Sequence, residues 1–293
     1  MRRRSFNSIV LGSFLLCPAV VLWFFALEPA DHAQYAGLST GEFDGNIWRV
    51  FNYFEGFSLA VILAPSLHSS INSFYYLNFL SLLFLFSGIY LGRASPRFVL
   101  MFVSIFGYYY LETITFSQYK MLLATSLLYL AFFLQSRIYL YLSTIAHISF
   151  FLVLLAYQHF RPIYAIFIPF FVFFILLFAA HYSSYLDNYV VGKIMTYYTN
   201  ELSLTSLLMV VKCLFLILIC HRKIGLRERK YFNIYLVLVA VGIGSIYAPI
   251  ISGRVMSMAM AIEPLIFSRI LPSYVIGPYC CSLVAIGTFR ILI

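Results

Sequence analysis

Residues 204–251 read LTSLLMVVKCLFLILIC, HRKIGLRERK and YFNIYLVLVAVGIGSIYAPII, so two apolar runs flank a short segment that holds five basic residues. An apolar run of about 18 residues is long enough to cross the hydrocarbon core of a bilayer as a helix. Short segments rich in Lys and Arg beside such runs are typical of the cytoplasmic side of a membrane. The stretch therefore predicts two membrane-spanning helices, 204–220 and 231–251, joined by a cytoplasmic loop, 221–230.

The rest of the chain has the same apolar character. Of its 293 residues, 63% are hydrophobic and 10% are charged, whereas soluble globular proteins contain about 25% charged residues. Backbone amides in hydrocarbon must be hydrogen bonded within their own segment, so the apolar runs are predicted to be helical. We expect an all-α fold, a polytopic integral membrane helical bundle. It forms a single domain, 1–293, with about ten or eleven hydrophobic segments, for which the candidates are 7–27, 57–68, 74–92, 98–117, 121–135, 138–157, 162–180, 204–220, 231–251, 255–270 and 273–293.

Charge segregates between the two sides of this predicted bundle. Arg2, Arg3 and Arg4 precede the first apolar run, which predicts a cytoplasmic amino terminus. The first run reads as an uncleaved helix, because no clean signal-peptide cleavage site follows it. Most acids lie in or beside the loops 28–54 and 181–203, which are predicted to face the outside. The net charge of +9 therefore reflects membrane topology, and no nucleic-acid partner is expected.

The middle of the chain leaves the topology open. If every middle segment crosses, Arg93, Arg97 and Arg137 lie outside, against the charge rule. Segment 57–68 provides only about 18 Å of helix, whereas the hydrocarbon core is about 30 Å thick. We therefore expect 57–68 to dip into the membrane without crossing it, and we expect one more segment, within 138–180, not to cross.

Cofactor motifs are missing from the sequence. There is no Walker loop, dinucleotide fingerprint, HExxH or GxSxG, and the five cysteines are odd in number and lack the spacing of a metal site. No cytoplasmic loop is large enough for nucleotide chemistry, so neither a cofactor nor a metal is expected. A substrate must arrive through the membrane or from its outer side.

Three side chains are candidates for acid–base catalysis. Asp31 and Glu55 lie at the two ends of the first outer loop, where a carboxylate beside the membrane can remove a proton or hold a sugar hydroxyl. The alternative is a solvated acidic loop. His147 lies inside an apolar run, and an ionisable group is costly at membrane depth, so it is a functional-site hypothesis. The alternative is a histidine that packs between helices and bonds to a neighbouring backbone.

Three cations are candidates for binding a phosphate group. Arg254 lies in a short predicted turn, Ser252–Arg254, on the outer side, where the charge rule gives no reason for a cation. A guanidinium suits bidentate recognition of phosphate. Arg161 lies in a turn between two apolar runs, and Lys120 lies at a span end. Arg254 and Lys120 can instead be interfacial anchors.

Further polar and aromatic residues are candidates for contacts to a substrate. Tyr35, in the first outer loop, and His159, which shares a turn with Arg161, are the candidate substrate-binding residues. The 31 Phe and 24 Tyr belong either to interfacial aromatic belts or to a surface on which sugars stack. Lys212 and Glu263 both lie within predicted spans, where they either pair with each other or take part directly in a site.

The order of these motifs resembles that of a known family. An outer Asp-x-x-x-Tyr begins at Asp31, and Glu-Gly-Phe begins at Glu55 ahead of a short apolar segment. A basic residue, Lys120, precedes Leu-Ala, and Ala-His-x-Ser surrounds His147. A late outer Arg254 is followed by Met-rich apolar sequence. In this order the chain is similar to the EpsG-like branch of the Wzy polymerases.

The resemblance extends from about residue 28 to about residue 270, and the chain departs from the family pattern in two places. The family usually has Arg, often followed by Gln, where this chain has Tyr119-Lys120. Lysine binds phosphate as a point charge and not as a fork. The chain is also short for the family, with a compact second outer loop, 181–203.

The resemblance implies a membrane-embedded glycosyltransferase in the bacterial cytoplasmic (inner) membrane, active on the periplasmic face. It would polymerise oligosaccharide repeat units of an O-antigen, capsule or exopolysaccharide that are linked to undecaprenyl pyrophosphate. No cofactor is needed, because the pyrophosphate ester is already activated. The implied partners are the lipid-linked glycans, the lipid bilayer, and a flippase and a chain-length regulator of the same pathway.

The resemblance also implies roles for the candidate residues. The leaving pyrophosphate needs fixed cations, which Arg254 together with Arg161 or Lys120 would provide. The acceptor hydroxyl needs a base, for which the candidates are His147, Asp31 and Glu55.

Two other functions remain open. A flippase or transporter for the same lipid-linked oligosaccharides would also be polytopic, basic and aromatic, although such carriers usually are longer and contain internal repeats, which this sequence lacks. A membrane O-acyltransferase that modifies the same glycans would use His147, although such enzymes generally have more cytoplasmic loop.

Overall fold

A computed structural model describes residue 87 and residues 95–110, 119–159, 161–182 and 204–292 of the chain. These residues form helices and turns without any strand among them, which confirms the predicted all-α class. Several predictions fall outside the described residues, namely those for the segments 7–27 and 57–68, nearly all of 74–92, the outer loop 28–54, most of the outer loop 181–203, and the candidates Asp31, Tyr35 and Glu55.

The described part of the chain contains nine α-helices, numbered here in chain order. They are α1 Pro96–Ser104, α2 Tyr119–Leu134, α3 Arg137–Ala146, α4 Phe151–His159, α5 Ile168–Tyr182, α6 Leu204–Cys220, α7 Leu226–Gly244, α8 Pro249–Ile270 and α9 Ser273–Leu292. A π-helical turn, Ile105–Tyr109, extends α1, and short 3-10 segments precede α4, α5 and α7: Ile148–Phe150, Pro162–Ile166 and His221–Lys223.

The helices divide into two compact units. Unit 1 contains α1, α2, α3 and α9, and unit 2 contains α4 from Leu152 onward together with α5, α6, α7 and α8.

An aromatic core joins α1 to α2 in unit 1. Helix α1 begins where the Ser95 hydroxyl accepts a hydrogen bond from the Phe98 amide, 3.2 Å away, with Pro96 in its first turn. Serine before the first turn and proline within it both favour a helix start. The buried rings of Phe98 and Phe102 meet the ring of Tyr129 edge-on, with centroids 5.7 and 5.8 Å apart. Edge-to-face contacts of this kind strengthen a core beyond the area that they bury.

Contacts at two levels show that α1 and α9 run parallel in unit 1. Near the start of both helices, Arg97 donates to the Ser273 hydroxyl at 2.7 Å. Further along both, Gly287 lies so close to the π-helical turn that a Cβ atom there would be 2.4 Å from the carbonyl carbon of Tyr108. Only a residue without a side chain allows this approach of two backbones.

Helices α7 and α8 form an antiparallel hairpin in unit 2. At its closed end, the Ser252 hydroxyl donates to the carbonyl oxygen of Gly242 at 2.9 Å. At its open end, Arg269 and Glu228 form an ion pair at 3.0 Å. Polar contacts therefore join the two helices at both ends of the hairpin.

The turn of this hairpin is not where the sequence predicts it. We expected a turn at Ser252–Arg254, whereas α7 ends at Gly244, the chain turns at 245–248, and α8 begins at Pro249. Proline suits the first turn of a helix, because the missing N–H has no partner there in any case. Ser252 and Arg254 are therefore helical. Helix α7 also begins at Leu226, within the segment that we expected to be a loop.

Helix α5 packs along α7, and the end of α4 contacts the start of α7. The ring of Tyr157, near the end of α4, lies 6.0 Å from the ring of Tyr231, near the start of α7. A Cβ atom on Gly244, at the end of α7, would lie 2.6 Å from the carbonyl oxygen of Pro169 in α5. The contacts of Tyr157 and Pro169 therefore lie near opposite ends of α7.

The stretch 138–180 contains two interruptions. His147 has extended backbone angles, φ −150° and ψ 118°, and separates α3 from α4 where we expected one helix, 138–157. Arg161 is also extended, because the ring of the following Pro162 disfavours helical angles at the residue before it. With 10 and 9 residues, α3 and α4 are each about 15 Å long or less, well below the hydrocarbon thickness.

One helix of the described residues, α8, is long and apolar enough to cross a membrane by length and composition, and 78% of its most apolar window is buried. Four shorter apolar helices accompany it: Pro96–Tyr109, Met121–Leu134, Ile168–Tyr182 and Ser273–Phe289. Buried core helices of soluble proteins can meet the same criteria, so helix length alone does not establish a polytopic bundle.

Candidate functional site

His147 lies at the break between α3 and α4 in unit 1, and its imidazole is half-buried. Its amide donates to the carbonyl oxygen of Ser143 at 3.1 Å, which ends α3, and its own carbonyl accepts from the Phe150 amide at 2.9 Å. The imidazole packs near the Phe150 ring, with centroids 6.2 Å apart. The side chain therefore leaves the backbone at a bend, where its ring is held by the segment that follows.

Ser149 makes two contacts to Nδ1, at one edge of that imidazole. The Ser149 amide donates to Nδ1 at 3.3 Å, and the Ser149 hydroxyl lies within hydrogen-bond distance of the same atom. Because an amide can only donate, Nδ1 is an acceptor, and the neutral ring carries its proton on Nε2. The hydroxyl then donates to Nδ1 as well. A serine hydroxyl on the basic nitrogen of a histidine is an arrangement that can move a proton.

The sequence predicted His147 as a site residue but not Ser149. The signal was present as Ala-His-x-Ser, since a serine two residues after a histidine can reach its ring only if the helix stops there. We expected the helix to continue, and in a continuous helix residues two apart do not face each other.

Arg254 lies in the second turn of α8 in unit 2, and its side chain is exposed. Ahead of it, Gly253 faces open space, with nothing within 4 Å of the position that a Cβ atom would take. Arg254 is close to the closed end of the α7–α8 hairpin, and the basic segment 221–230 is at the open end. Arg254 and the basic segment therefore lie at opposite ends of the hairpin, and Arg254 lies beyond the turn and not within it.

Arg161 is exposed in unit 2, at the extended residue before the 3-10 turn that leads into α5. Along the chain it lies between the contact of Tyr157 with the start of α7 and the contact of Pro169 with its end. Arg254 lies beside the end of α7. The two arginines thus belong to different elements. Arg161 is four residues from Tyr157, which contacts the start of α7, and eight residues from Pro169, which contacts its end.

The remaining candidates are placed only in part. Lys120 belongs to the first turn of α2, and His159 is the last residue of α4; the described structure does not extend to their side chains. His147 belongs to unit 1, and Arg161 and Arg254 belong to unit 2.

No protein-family model, curated protein or solved structure matches this chain. The chemistry of the site therefore rests on the geometry of its own residues.

A second polar cluster lies inside unit 2, where the middles of three helices meet. Lys212 of α6 and Glu263 of α8 form an ion pair at 2.8 Å, which is one of the two alternatives that the sequence left open for these residues. The hydroxyl of Tyr235 in α7 donates to the same carboxylate oxygen at 3.1 Å. The Glu263 side chain is fully buried and that of Lys212 is 23% exposed. Nothing in the sequence indicated a role for Tyr235, which is one of many aromatic residues in an apolar run.

The cluster has the composition of a structural ion pair. A buried carboxylate needs a cation and additional hydrogen bonds, and Lys212 and Tyr235 provide both. Within the described ranges, no three His, Cys, Asp or Glu side chains come close enough together to hold a metal ion.

Proposed function

We propose that this chain is a polytopic membrane protein, because large apolar side chains cover much of the surface of two of its helices. The exposed residues of α5 and α6 are almost all apolar, and the most exposed are Phe170, Phe171, Phe174, Phe178, Leu204, Leu208, Val211, Phe215 and Leu218. A shallow groove of about 490 Å³ runs along α5, and its lining is apolar except for His181 and Tyr182. Contiguous apolar surface of this kind is rare on soluble monomers. In a bilayer, the hydrocarbon chains of the lipids cover this apolar surface without a cost in free energy.

The orientation that we propose follows from the α7–α8 hairpin. The basic segment 221–230 lies at its open end, and Arg254 lies near its closed end. If the basic segment faces the cytoplasm, as the charge rule requires, Arg254 faces the periplasm.

Within this membrane protein we propose the glycosyl transfer that the family resemblance implies. The oxygen of an acceptor sugar hydroxyl, on one lipid-linked repeat unit, attacks the anomeric carbon of a glycan carried by a second undecaprenyl pyrophosphate. A new carbon–oxygen bond forms, and the bond from the anomeric carbon to the pyrophosphate breaks. The pyrophosphate leaves with the electron pair of that bond. The acceptor hydroxyl loses its proton to the enzyme.

The observation that carries this proposal is the contact of Ser149 with His147. Nδ1 is the basic nitrogen of the imidazole, and the Ser149 hydroxyl occupies it. We assign a relay in which the Ser149 oxygen accepts the proton of the sugar hydroxyl while its own proton passes to Nδ1. A positioned base of this kind accelerates such reactions by about 10²–10⁴-fold. The family resemblance assigns to Arg254 the stabilisation of the negative charge that develops on the leaving pyrophosphate.

The same contact supports one second candidate, a membrane O-acyltransferase. A serine whose hydroxyl donates to an imidazole is also the pairing of an acyl-transfer nucleophile with its base. In that reaction Ser149 would receive the acyl group, whereas in glycosyl transfer it passes only a proton.

Deletion of the gene, followed by gel analysis of the surface polysaccharide, separates these functions. A polymerase deletion retains a single repeat unit on the lipid acceptor, and a flippase deletion has none. An acyltransferase deletion retains long polymer that has lost its ester groups. Long and fully esterified polymer in the deletion strain would exclude all three.

Complementation with single variants then tests the site itself. We expect His147→Ala to leave only short glycans at normal protein abundance. His181→Ala, which removes an exposed histidine at the end of α5, is the matched control and should restore full length. Equal restoration by both variants would assign His147 to helix packing.

A further inference from the structure

We infer that the basic open end of the α7–α8 hairpin binds the headgroups of anionic phospholipids. This inference rests on the membrane location proposed above and is independent of the glycosyl transfer. The binding surface consists of Arg222, Lys223, Arg229 and Lys230 around the exposed Leu226, and we call it the basic rim.

The basic rim brings cations from two elements to one edge. The 3-10 turn His221–Lys223 directly follows α6, and Arg229 and Lys230 belong to the first turns of α7. All four basic side chains of the rim are exposed. Arginine and lysine groups in this number, next to apolar helices, attract anionic lipids of the nearby leaflet.

The one acid of this segment is neutralised internally. Glu228 forms its ion pair with Arg269 at 3.0 Å, and its side chain is only 12% exposed. The pair leaves the four cations of the rim without compensation from the segment's own carboxylate. Negative charge for the rim must therefore come from outside the segment.

An aromatic support holds one of these cations in place. The ammonium group of Lys230 lies over the ring of Tyr157, 4.9 Å from its centroid, and that ring packs against Tyr231. A cation–π contact directs the lysine without using its charge on another ion. Lys230 keeps three N–H groups with which it can bind phosphate oxygens.

Apolar surface next to the rim selects a lipid over a soluble anion. Leu226 is 87% exposed in the middle of the basic residues, and Leu218, on the last turn of α6, is 70% exposed. A nucleic acid or a free phosphate gains nothing from these side chains. A phospholipid offers a phosphodiester to the arginines and acyl chains to the leucines. The basic rim therefore matches both the charged headgroup and the acyl chains of a phospholipid.

Native mass spectrometry of the purified full-length protein in an equal mixture of phosphatidylglycerol and phosphatidylcholine tests the assignment. We expect preferential retention of phosphatidylglycerol, and we expect Arg222→Gln/Lys223→Gln to lower that preference by about tenfold or more, since each cation near a lipid surface contributes roughly fivefold. Arg97→Gln/Arg137→Gln removes the same charge from exposed positions in unit 1 and should leave the preference unchanged. An equal loss in both double variants would overturn the assignment.

Two further measurements keep the test independent of folding and of the anion's source. Arg222→Lys/Arg229→Lys retains the charges and should keep most of the preference, so a loss there together with a normal elution volume would contradict a site based on charge. Soluble glycerol phosphate in large excess should not displace the lipid. Displacement would identify a site for small anions and overturn the lipid assignment. Failure of the polymerase test would leave these results unchanged.

Discussion

A hydrogen bond to one nitrogen decides what the other nitrogen of a histidine can do. Two donors from Ser149 fix Nδ1 of His147 as the acceptor, so the protonation site of the ring is set by a residue two positions away. Neutral histidine has two tautomers, and a partner selects one. The catalytic proposal therefore depends on Ser149 as much as on the imidazole.

Ser149→Ala tests this dependence. The change removes the relay hydroxyl while the backbone amide still donates to Nδ1, so we expect a lower polymerisation rate with unchanged protein abundance. Loss of one hydrogen bond of about 1 kcal/mol predicts roughly a fivefold decrease, and loss of the relay predicts more. The rate is measured with purified lipid-linked repeat unit. Ser149→Thr keeps a hydroxyl and should recover most of the rate. If Ser149→Ala matches the wild type, the relay is wrong.

Variants of Arg254 distinguish the effect of its positive charge from the effect of its guanidinium geometry. We expect Arg254→Ala to lose long polymer, and Arg254→Lys to restore it only in part, because lysine keeps the charge without the bidentate fork. A charge-assisted hydrogen bond contributes about 1.5–3 kcal/mol, or more than tenfold in rate. Gel analysis of chain length provides the measurement. A helix anchor predicts full restoration by lysine, since a snorkelling ammonium anchors equally well.

At the scale of elements, one buried acid joins three helices. Lys212 and Tyr235 both bind the carboxylate of Glu263, so α6, α7 and α8 share one polar contact. Removal of one partner from a buried pair leaves a charge without compensation, whereas replacement of both partners by apolar groups can be nearly neutral.

This asymmetry predicts the behaviour of three variants. Lys212→Met and Glu263→Met should each lower the thermal stability of the purified protein, with a cost of about 3 kcal/mol for Lys212→Met. The double variant should recover most of the loss. Thermal unfolding in detergent measures all three. Additive losses in the double variant would mean that the two side chains do not stabilise the protein as a pair.

A pair of glycines in α9 provides a test of helix packing with an internal control. A Cβ atom at Gly287 would meet the backbone of the π-helical turn, whereas one at Gly277 would have nothing within 4 Å. Alanine is favoured over glycine in a helix by up to about 1 kcal/mol. Gly277→Ala should therefore raise the midpoint of thermal unfolding and Gly287→Ala should lower it. A rise in both would place the two helices further apart than described.

The sequence predicted where helices exist better than where they end. The apolar run 204–220 matches α6 to the residue, because a basic segment bounds it sharply. The turn at 245–248 was missed because its residues are as apolar as the helices on either side, and hydropathy does not distinguish a turn from a helix there. The break at His147 was missed for the same reason. Such ends are set by contacts between helices, and a pattern of single residues does not contain them.

At the scale of the whole molecule, the distribution of charge makes the topology testable. We predict that 28–54 and 181–203 face the periplasm and that 221–230 faces the cytoplasm. Cysteine is substituted singly for Asp44, Asp187 and Arg227, and a membrane-impermeant thiol reagent is added from the periplasmic side. The cysteines at positions 44 and 187 should react, and the cysteine at position 227 should not. Periplasmic labelling of the cysteine at Arg227 would reverse the orientation and remove Arg254 from the outer face.

Composition predicted the all-α class, but it did not predict the division into two units. Hydropathy reports how apolar each segment is and not which segments pack together. The candidate site was predictable only in part for a related reason. Rare polar residues in apolar runs single out His147, Lys212 and Glu263, whereas Ser149 and Tyr235 become visible only through the atoms they contact.

The order of synthesis gives the buried acid a further consequence. Lys212 and Tyr235 both precede Glu263 in the chain, so both partners are already made when the carboxylate leaves the ribosome. In a protein that inserts as it is translated, α8 would reach the membrane after Lys212 in α6 and Tyr235 in α7 had already been inserted. If the chain is the membrane protein proposed above, insertion of the helix that carries the acid would depend on the two helices that enter before it. A chain in which α8 was synthesised first would have to place an unpaired carboxylate in lipid.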